Sequence, residues 1–273
     1  MKILLCTRTA PYAKQTLGMG HRIAAQVSGS LDILLVSGNE QQPFQEMQNL
    51  AEEIAVELRA ADVEVGIYEE SGKVSANVLR EVHEHPYDLV IIGSRGRRGI
   101  SKLLFGSTAL QITEQVPLPV LVVKGRVRQS NKYLVCTSAG PVSERTVRFS
   151  ARLAKQMGAK VHLLHVMSQV ALNVRGTTLE ELEESAEELI AHGSREGQHL
   201  EEMLVLSREK GIEARVLVRH GLVVDEIISE ARKGRYEMII TGAHLTPGVP
   251  PSMVNDLAGQ ILLATKRPVL VVH

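Results

Sequence analysis

The chain of 273 residues contains no tryptophan, and aromatic residues make up only 3% of it. Proteins that bind single-stranded nucleic acid usually offer aromatic side chains on which the bases stack. The basic excess of a generic nucleic-acid binder is also missing, because lysine plus arginine and aspartate plus glutamate both number 31. We therefore expect no nucleic-acid partner, and we expect a core built from aliphatic side chains.

Cysteine and long apolar runs are scarce as well. Cys6 and Cys136 are too few for a disulfide framework, and we expect both to be buried and reduced. No run approaches the roughly 18 apolar residues that would span a bilayer. The apolar stretch at the amino terminus reaches Arg8 almost at once, which is not the pattern of a signal peptide. The expected location is cytoplasmic, with no membrane partner.

Residue patterns typical of metal sites and of nucleophilic catalysis are absent from the sequence. His83 and His85 are two apart on a predicted helix, so they point to different faces. His162 and His165 fall on opposite faces of a predicted strand. No cysteine or carboxylate joins either pair at metal-ligand spacing, so no metal site is predicted. Ser107 has no histidine nearby in sequence, and no catalytic residue is assigned.

The sequence does contain an internal repeat. Segments 5–7 and 33–36 recur in the second half of the chain at an offset of 130 residues. Segments 87–93 and 119–123 recur there at an offset of 149 residues. One insertion of 19 residues in the second copy reconciles the two offsets, and the glutamate-rich segment 179–209 is its expected place. We predict two domains, 1–126 and 131–273, joined by a short polar linker.

Both copies alternate apolar strands with amphipathic helices. In the first copy, short runs rich in valine, isoleucine and leucine predict five strands, near 2–7, 31–36, 63–68, 88–93 and 119–124. Strands that are apolar on both faces are typical of a parallel sheet covered by helices on both sides. Between them, apolar residues from Phe44 to Leu58 step by three and four, as on one face of a helix. The pattern predicts an α/β fold of two tandem doubly wound domains.

The acidic insertion has a helical pattern of its own. Thr178 and Glu181 fit a capping box at its start. Gly193 and Gly197 are expected to interrupt it, which would give a pair of helices. The glutamate run is expected to form a solvated helix face, and the alternative is a partner-binding surface.

A glycine-rich loop follows the fourth predicted strand of the first copy. Gly93 and Gly96 lack a Cβ atom, so the backbone there can approach a ligand closely. Gly106, Ser107 and Thr108 should open the fourth helix, whose free N–H groups and dipole favour an anion. In a doubly wound sheet, ligands bind at the carboxyl ends of the strands, where the winding reverses. The loop therefore suits the phosphates of a nucleotide.

Arg95 and its basic neighbours add positive charge to this loop, and some of them are expected to be simply solvated. Gly93 and Gly96 alone would also fit a tight turn. The complete spacing Gly-x2-Gly-x9-Gly-Ser, placed between a strand and a helix, is far more specific. No Gly-Lys-Ser/Thr follows the glycines, so the loop is not a Walker-type P-loop.

With this spacing, the chain resembles the universal stress protein family in its tandem two-domain form, over both copies almost end to end. The resemblance implies that the loop holds the ribose and phosphates of ATP, ADP or AMP, with Mg²⁺ accompanying a triphosphate. The positions concerned are Gly93, Gly96, Gly106, Ser107 and Thr108. It also implies a parallel sheet of order 3-2-1-4-5 in each domain. Pairing of 119–124 with 268–273 would make the chain a pseudo-dimer, and a further homodimer stays open.

One position departs from the family. Family members usually carry an aspartate just past the first strand, on the adenine side, and this chain has Arg8 there. An arginine cannot accept a hydrogen bond from an adenine amino group, so it would stack on the base or reach a phosphate. Thr7 beside it completes the predicted site together with Val36, which matches a position whose backbone contacts adenine in the family.

The second copy lacks the glycine pattern. Leu245 stands where the first copy has Gly96, and its side chain would keep the backbone from a phosphate. Asp256 stands where the first copy has Ser107, and its carboxylate would repel a phosphate. We predict that this copy is degenerate and serves as a structural or partner-binding half.

The leading hypothesis is an adenine-nucleotide-binding stress-response protein that acts through ligand-dependent conformation or through an unknown protein partner. One alternative is slow ATP hydrolysis at the same loop, although no residue is placed to orient the attacking water. Another is a nucleotide-free interaction or scaffold module, in which the acidic insertion recruits the partner.

Overall fold

The computed structural model describes residues 1–8, 13–27, 29–37, 42–94, 107–125, 127–138, 140–167, 185–243 and 257–273. The strands within these residues are β1 Lys2–Arg8, β2 Ser30–Ser37, β3 Glu64–Ser71, β4 Leu89–Gly93, β5 Val120–Val123, β6 Lys132–Thr137, β7 Lys160–Met167, β8 Arg215–His220, β9 Met238–Gly242 and β10 Val269–Val272. The helices are α1 Ala13–Val27, α2 Gln42–Ala60, α3 Val74–Glu84, α4 Ser107–Gln115, α5 Pro141–Met157, α6 Ala186–Ala191, α7 Arg195–Glu209, α8 Val223–Lys233 and α9 Leu257–Ala264. The alternation of strands and helices confirms the predicted α/β class.

The described residues form two compact units. The first holds residues from 1–127 together with Lys266–Val271, and its parallel strands follow the order β3-β2-β1-β4-β5. This is the predicted order 3-2-1-4-5. The sixth strand of this unit, β10, pairs antiparallel with β5, and Leu270 lies opposite Leu121. The predicted pairing of the two last strands is therefore present.

The second unit repeats the first four strand positions. Its parallel strands follow the order β8-β7-β6-β9, which corresponds to 3-2-1-4. At the carboxyl end of β9, the Ala243 N–H donates a hydrogen bond to the Val272 carbonyl at 2.8 Å. The equivalent bond in the first unit joins the Ser94 N–H to the Val123 carbonyl at 3.0 Å.

Aliphatic strand residues build the core. Ile3, Leu4 and Leu5 are consecutive on β1, so they point alternately to the two faces of the sheet, and all three are fully buried. Helices therefore cover both faces, as the continuous apolar runs predict. Cys6 and Cys136 are buried and unpaired, and burial raises the pKa of each thiol to about 12. The prediction of reduced core cysteines is confirmed.

The acidic insertion ends in a helix pair, as predicted, but only one of the two glycines interrupts it. Gly193 lies between α6 and α7 with a positive φ of 62°. Gly197 lies inside α7, where a Cβ atom would clash with the Leu189 carbonyl, so it permits close packing of the two helices. Ser185 and Glu188 form a capping box at the start of α6. The predicted capping box at Thr178 lies outside the described residues.

Candidate functional site

Residues from three strands meet at the carboxyl edge of the first sheet. Arg8 ends β1 with its Cα opposite that of Val36 on β2, and Thr7 precedes it. Cys6 lies opposite Ile92, so Gly93 ends β4 on the other side of β1. Thr7 and Val36 are buried, whereas Arg8 is exposed. Four of the predicted site residues are thus neighbours along one edge.

Helix α4 begins at this same edge. It starts at Ser107, as the loop pattern predicts, and Thr108 in its first turn is exposed. Its last residue, Gln115, lies five residues before β5, which starts at the amino edge because it runs parallel to β4. The helix therefore runs back across the sheet and directs its free N–H groups toward the carboxyl edge. Arg95, Gly96 and Gly106 lie outside the described residues.

Gly93 has a packing role that does not require a ligand. A Cβ atom on it would lie 2.6 Å from Thr16 Oγ1 on α1. In the second copy, a Cβ atom on Gly242 would lie 2.8 Å from Thr146 Oγ1 on α5, which is the same arrangement at equivalent positions. Both sheets thus need a glycine where a helix crosses the end of the fourth strand. Gly93 alone consequently does not distinguish a phosphate site from ordinary packing.

A buried cation lies at the same edge and was not predicted from the sequence. Lys124 follows the last residue of β5, and its side chain is only 3% exposed. Burial lowers its pKa to about 8, so the ammonium group is still mostly protonated at pH 7. A lysine directly after the apolar run of a central strand is the signal that could have revealed it, because a fully buried lysine is rare.

Tyrosine hydroxyls at the opposite, amino-end edge join charged groups in both copies. Tyr87 Oη lies 2.8 Å from Asp32 Oδ2 and 2.9 Å from Glu81 Oε1. Burial, followed by these two carboxylates, raises the pKa of Tyr87. The network lies far along the strands from Arg8, so it stabilises the fold and takes no part in the candidate site.

One group with metal-ligand spacing occurs among the described residues, which the histidine spacings did not predict. Ligand atoms of Glu81, Glu84 and His85 lie within 4.8 Å of one another. Glu81 Oε1 already lies 3.2 Å from His85 Nδ1 and within hydrogen-bond distance of Tyr87. The group escaped prediction because it joins the end of α3 to the residue that follows. An exposed cluster whose central carboxylate has partners is not a metal centre by itself.

The second copy has a cavity at its own carboxyl edge. It encloses about 210 Å³ at the ends of β6, β7 and β9, beside the starts of α5 and α8. The described residues that line it are Cys136, Thr137, Ser138, Val142, Ser143, Leu164, His165, Val166, Val223, Ile227, Thr241, Gly242 and Leu257. The described residues therefore leave open space at this edge of the second copy.

Within the described part of the chain, no helix is both long enough and apolar enough to cross a bilayer.

Comparison with known families places both copies in the same group. The universal stress protein family model matches residues 1–124 and again 130–273. The universal stress protein YxiE of Bacillus subtilis is 24% identical over 146 residues, which cover 52% of this chain and 99% of that protein. A universal stress protein E homolog of Haemophilus influenzae is 26% identical over 195 residues. That match covers 68% of this chain but 62% of the relative, so the chain spans about three fifths of that protein.

Solved structures agree on the fold. A universal stress protein from Archaeoglobus fulgidus superposes with a TM-score of 0.71 at 17% identity, and the match covers 99% of this chain and 97% of that one. A functionally unknown protein from Pseudomonas aeruginosa superposes with a TM-score of 0.72 at 15% identity, covering 99% and 92%. At this level of identity the likeness concerns the fold alone.

Proposed function

The chain belongs to the universal stress protein family, and we propose that its first copy binds an adenine nucleotide, ATP or a close relative, at the carboxyl edge of its sheet. The observation that carries the proposal is the register that sets Arg8 beside Val36 at the edge from which α4 begins. The glycine spacing between β4 and α4 supports it, because a helix start behind a glycine loop suits phosphate.

The phosphates would bind at the start of α4. Backbone N–H groups of its first turn are available to an anion, and the hydroxyls predicted from the sequence, those of Ser107 and Thr108, would add hydrogen bonds. Lys124 supplies a buried positive charge at the same edge, and Arg95 in the loop would add a mobile one. Mg²⁺ would be held mainly by the phosphates of a triphosphate, since this ion keeps several waters and needs few protein ligands.

The base would lie toward β1 and β2. The Val36 backbone near the end of β2 would contact a flat ring, while its side chain stays buried in the core. The exposed Arg8 guanidinium can stack on that ring or reach a phosphate, but it cannot accept a hydrogen bond from the base. In this proposal the cytoplasmic protein acts through a nucleotide-dependent conformation that changes its choice of partner.

Calorimetric titration with ATP and Mg²⁺ tests the site through Gly106→Asp. The new carboxylate would face the phosphates, so affinity should fall more than about tenfold, while circular dichroism and the thermal midpoint stay those of the parent chain. Asn255→Asp places the same charge at the equivalent position of the second copy and serves as the matched control. Unchanged affinity in Gly106→Asp would exclude this site. ADP release above the Gly106→Asp background would instead favour the alternative of slow hydrolysis.

A groove on the second copy favours the interaction module as the second candidate. It encloses about 490 Å³ between α5 and α7. The residues that line it are Glu144, Gln198, Glu201, Glu202, Met203, Val205 and Leu206. Carboxylates beside the exposed Val205 side chain complement a basic amphipathic segment of a partner protein. Capture of such a peptide without nucleotide, lost on deletion of 179–209 and on Glu201→Lys, would favour this function over nucleotide binding.

A further inference from the structure

The cavity of the second copy differs in chemistry from the same edge of the first copy. Three positions along its walls have changed from charged or aliphatic residues to uncharged polar ones. Ser138 stands where the first copy has Arg8, His165 where it has Leu35, and Thr241 where it has Ile92. The first of these changes removes a positive charge, and the other two replace aliphatic side chains of the first copy with polar ones.

The two polar side chains keep hydrogen-bonding capacity that the described residues do not use fully. Thr241 is 2% exposed, and its hydroxyl makes a long 3.4 Å contact with the Gly242 carbonyl. His165 is half-buried and interacts with the Thr137 backbone, but its buried Nδ1 atom has no hydrogen-bond partner in the described structure. Burying such groups destabilises a fold, whereas isoleucine and leucine at these positions would not. A half that had kept only a structural role would gain nothing from the two changes.

The described residues that line this cavity carry no charge at neutral pH. Burial lowers the pKa of His165, and the neighbouring His199 lowers it further, so the imidazole is neutral. Burial raises the pKa of the Cys136 thiol to about 12, so it stays protonated. The described lining contains no lysine, arginine, aspartate or glutamate. A phosphate would lose its hydration here without gaining a counter-charge.

The remaining wall is apolar and the space is small. Leu164, Val166, Val223, Ile227 and Leu257 are the large aliphatic residues around it. A volume of about 210 Å³ corresponds to about seven water molecules or to one compact organic molecule. Among the described residues, the hydroxyls of Thr137 and Thr241 donate long bonds of 3.4 Å to backbone carbonyls, so both can turn toward a ligand.

We propose that the second copy binds a compact, uncharged molecule with an apolar face and hydrogen-bonding groups, of the heteroaromatic or aromatic amide class, in this cavity. The chain would then carry two sites of different chemistry, a phosphate-binding one in the first copy and an uncharged one in the second. The loss of the glycine loop marks a change of ligand in this copy.

Ligand-observed NMR on the full chain tests this with two matched probe pairs, indole against indole-3-acetate and benzamide against benzoate. We expect at least one uncharged probe to bind at least about tenfold more tightly than its anionic counterpart. Thr241→Ile and His165→Leu restore the residues of the first copy. Each should weaken the uncharged probe by about tenfold, a loss in the range of one hydrogen bond, with the thermal midpoint unchanged or raised.

Gly106→Asp lies in the other copy and should leave probe binding unchanged, so the outcome is independent of the nucleotide site. Failure of both uncharged probes to bind would overturn the proposal. Equal binding of the anionic probes, or binding that survives both Thr241→Ile and His165→Leu, would also overturn it. The two variants keep the test valid if one of them fails to fold.

Discussion

Tyr87 and Tyr236 occupy equivalent positions in the two copies, and each sets its hydroxyl against the glutamate six residues earlier. The Oη–Oε1 distance is 2.9 Å to Glu81 in the first copy and 3.0 Å to Glu230 in the second. The third partner differs, because His162 stands where the first copy has Asp32. Tyr236 Oη lies 2.7 Å from His162 Nδ1, so it can accept from the imidazole while it donates to Glu230.

We expect Tyr236→Phe to destabilise the chain more than Tyr87→Phe does. Without the Tyr236 hydroxyl, His162 loses its acceptor, whereas Asp32 keeps an ion pair with Lys2 at 3.3 Å when Tyr87 is truncated. Leaving a fully buried polar group unpaired costs about 1–3 kcal/mol, and His162 is half-buried, so we expect a difference of about 1 kcal/mol. Urea unfolding measures the difference, with Tyr68→Phe on the exposed face of β3 as control. Equal free energies of unfolding for all three variants would contradict the assignment.

Gly93→Ala and Gly242→Ala should both lower the thermal midpoint. The added methyl group meets Thr16 in the first copy and both Val142 and Thr146 in the second, and overpacking of this kind costs about 1–3 kcal/mol. Gly18→Ala is the matched control, because it lies inside α1 with open space around its Cα and should stabilise by about 0.5–1 kcal/mol. If Gly93→Ala weakened nucleotide binding and left the midpoint unchanged, packing would not be its main role.

The stability of the second copy should fall as the pH drops below about 6.5. Burial lowers the pKa of His162, His165 and His199 in the folded chain. The unfolded chain therefore binds more protons in that window, and the free energy of unfolding decreases until the folded histidines titrate as well. The carboxylates of Glu196 near His165 and of Glu202 and Glu144 near His199 oppose the shift but do not cancel it.

Urea unfolding at several pH values between 8 and 5.5 measures this dependence. His165→Leu removes one of the three titrating groups, so its free energy of unfolding should vary less steeply with pH. A parent chain with the same stability throughout this window would show that the histidines do not couple to folding.

The fold could be predicted from the sequence because its signals are local and repeated. Apolar runs such as Ile3 to Cys6 have no amphipathic alternation, and that pattern alone indicates strands buried on both faces. The order of the strands, in contrast, followed from the family resemblance, since it depends on contacts between distant segments. Arg8 and Val36 could be placed at one edge by the same reasoning, and the structure brings them together.

The cavity of the second copy could not be predicted in this way. In the sequence, His165 and Thr241 look like ordinary residues of apolar strands. Their role becomes apparent only when they are compared with Leu35 and Ile92 of the first copy and are seen to line the cavity. The role of Gly93 was hidden for a related reason, because a glycine required by helix packing and one required by a ligand look identical in sequence. Thr16, its contact, is 77 positions away.

The strand that covers β5 is contributed by the last residues of the chain. A duplicated sequence suggests two domains that could be separated. Because β10 comes from the second copy of the repeat, the first copy alone does not contain every strand of its own sheet. A fragment cut at the linker would leave the backbone groups of Val120 to Val122 without partners along one side of the sheet. Such an open edge is a template for pairing with a strand of another molecule, so the first copy depends on β10, a strand from the second half of the sequence.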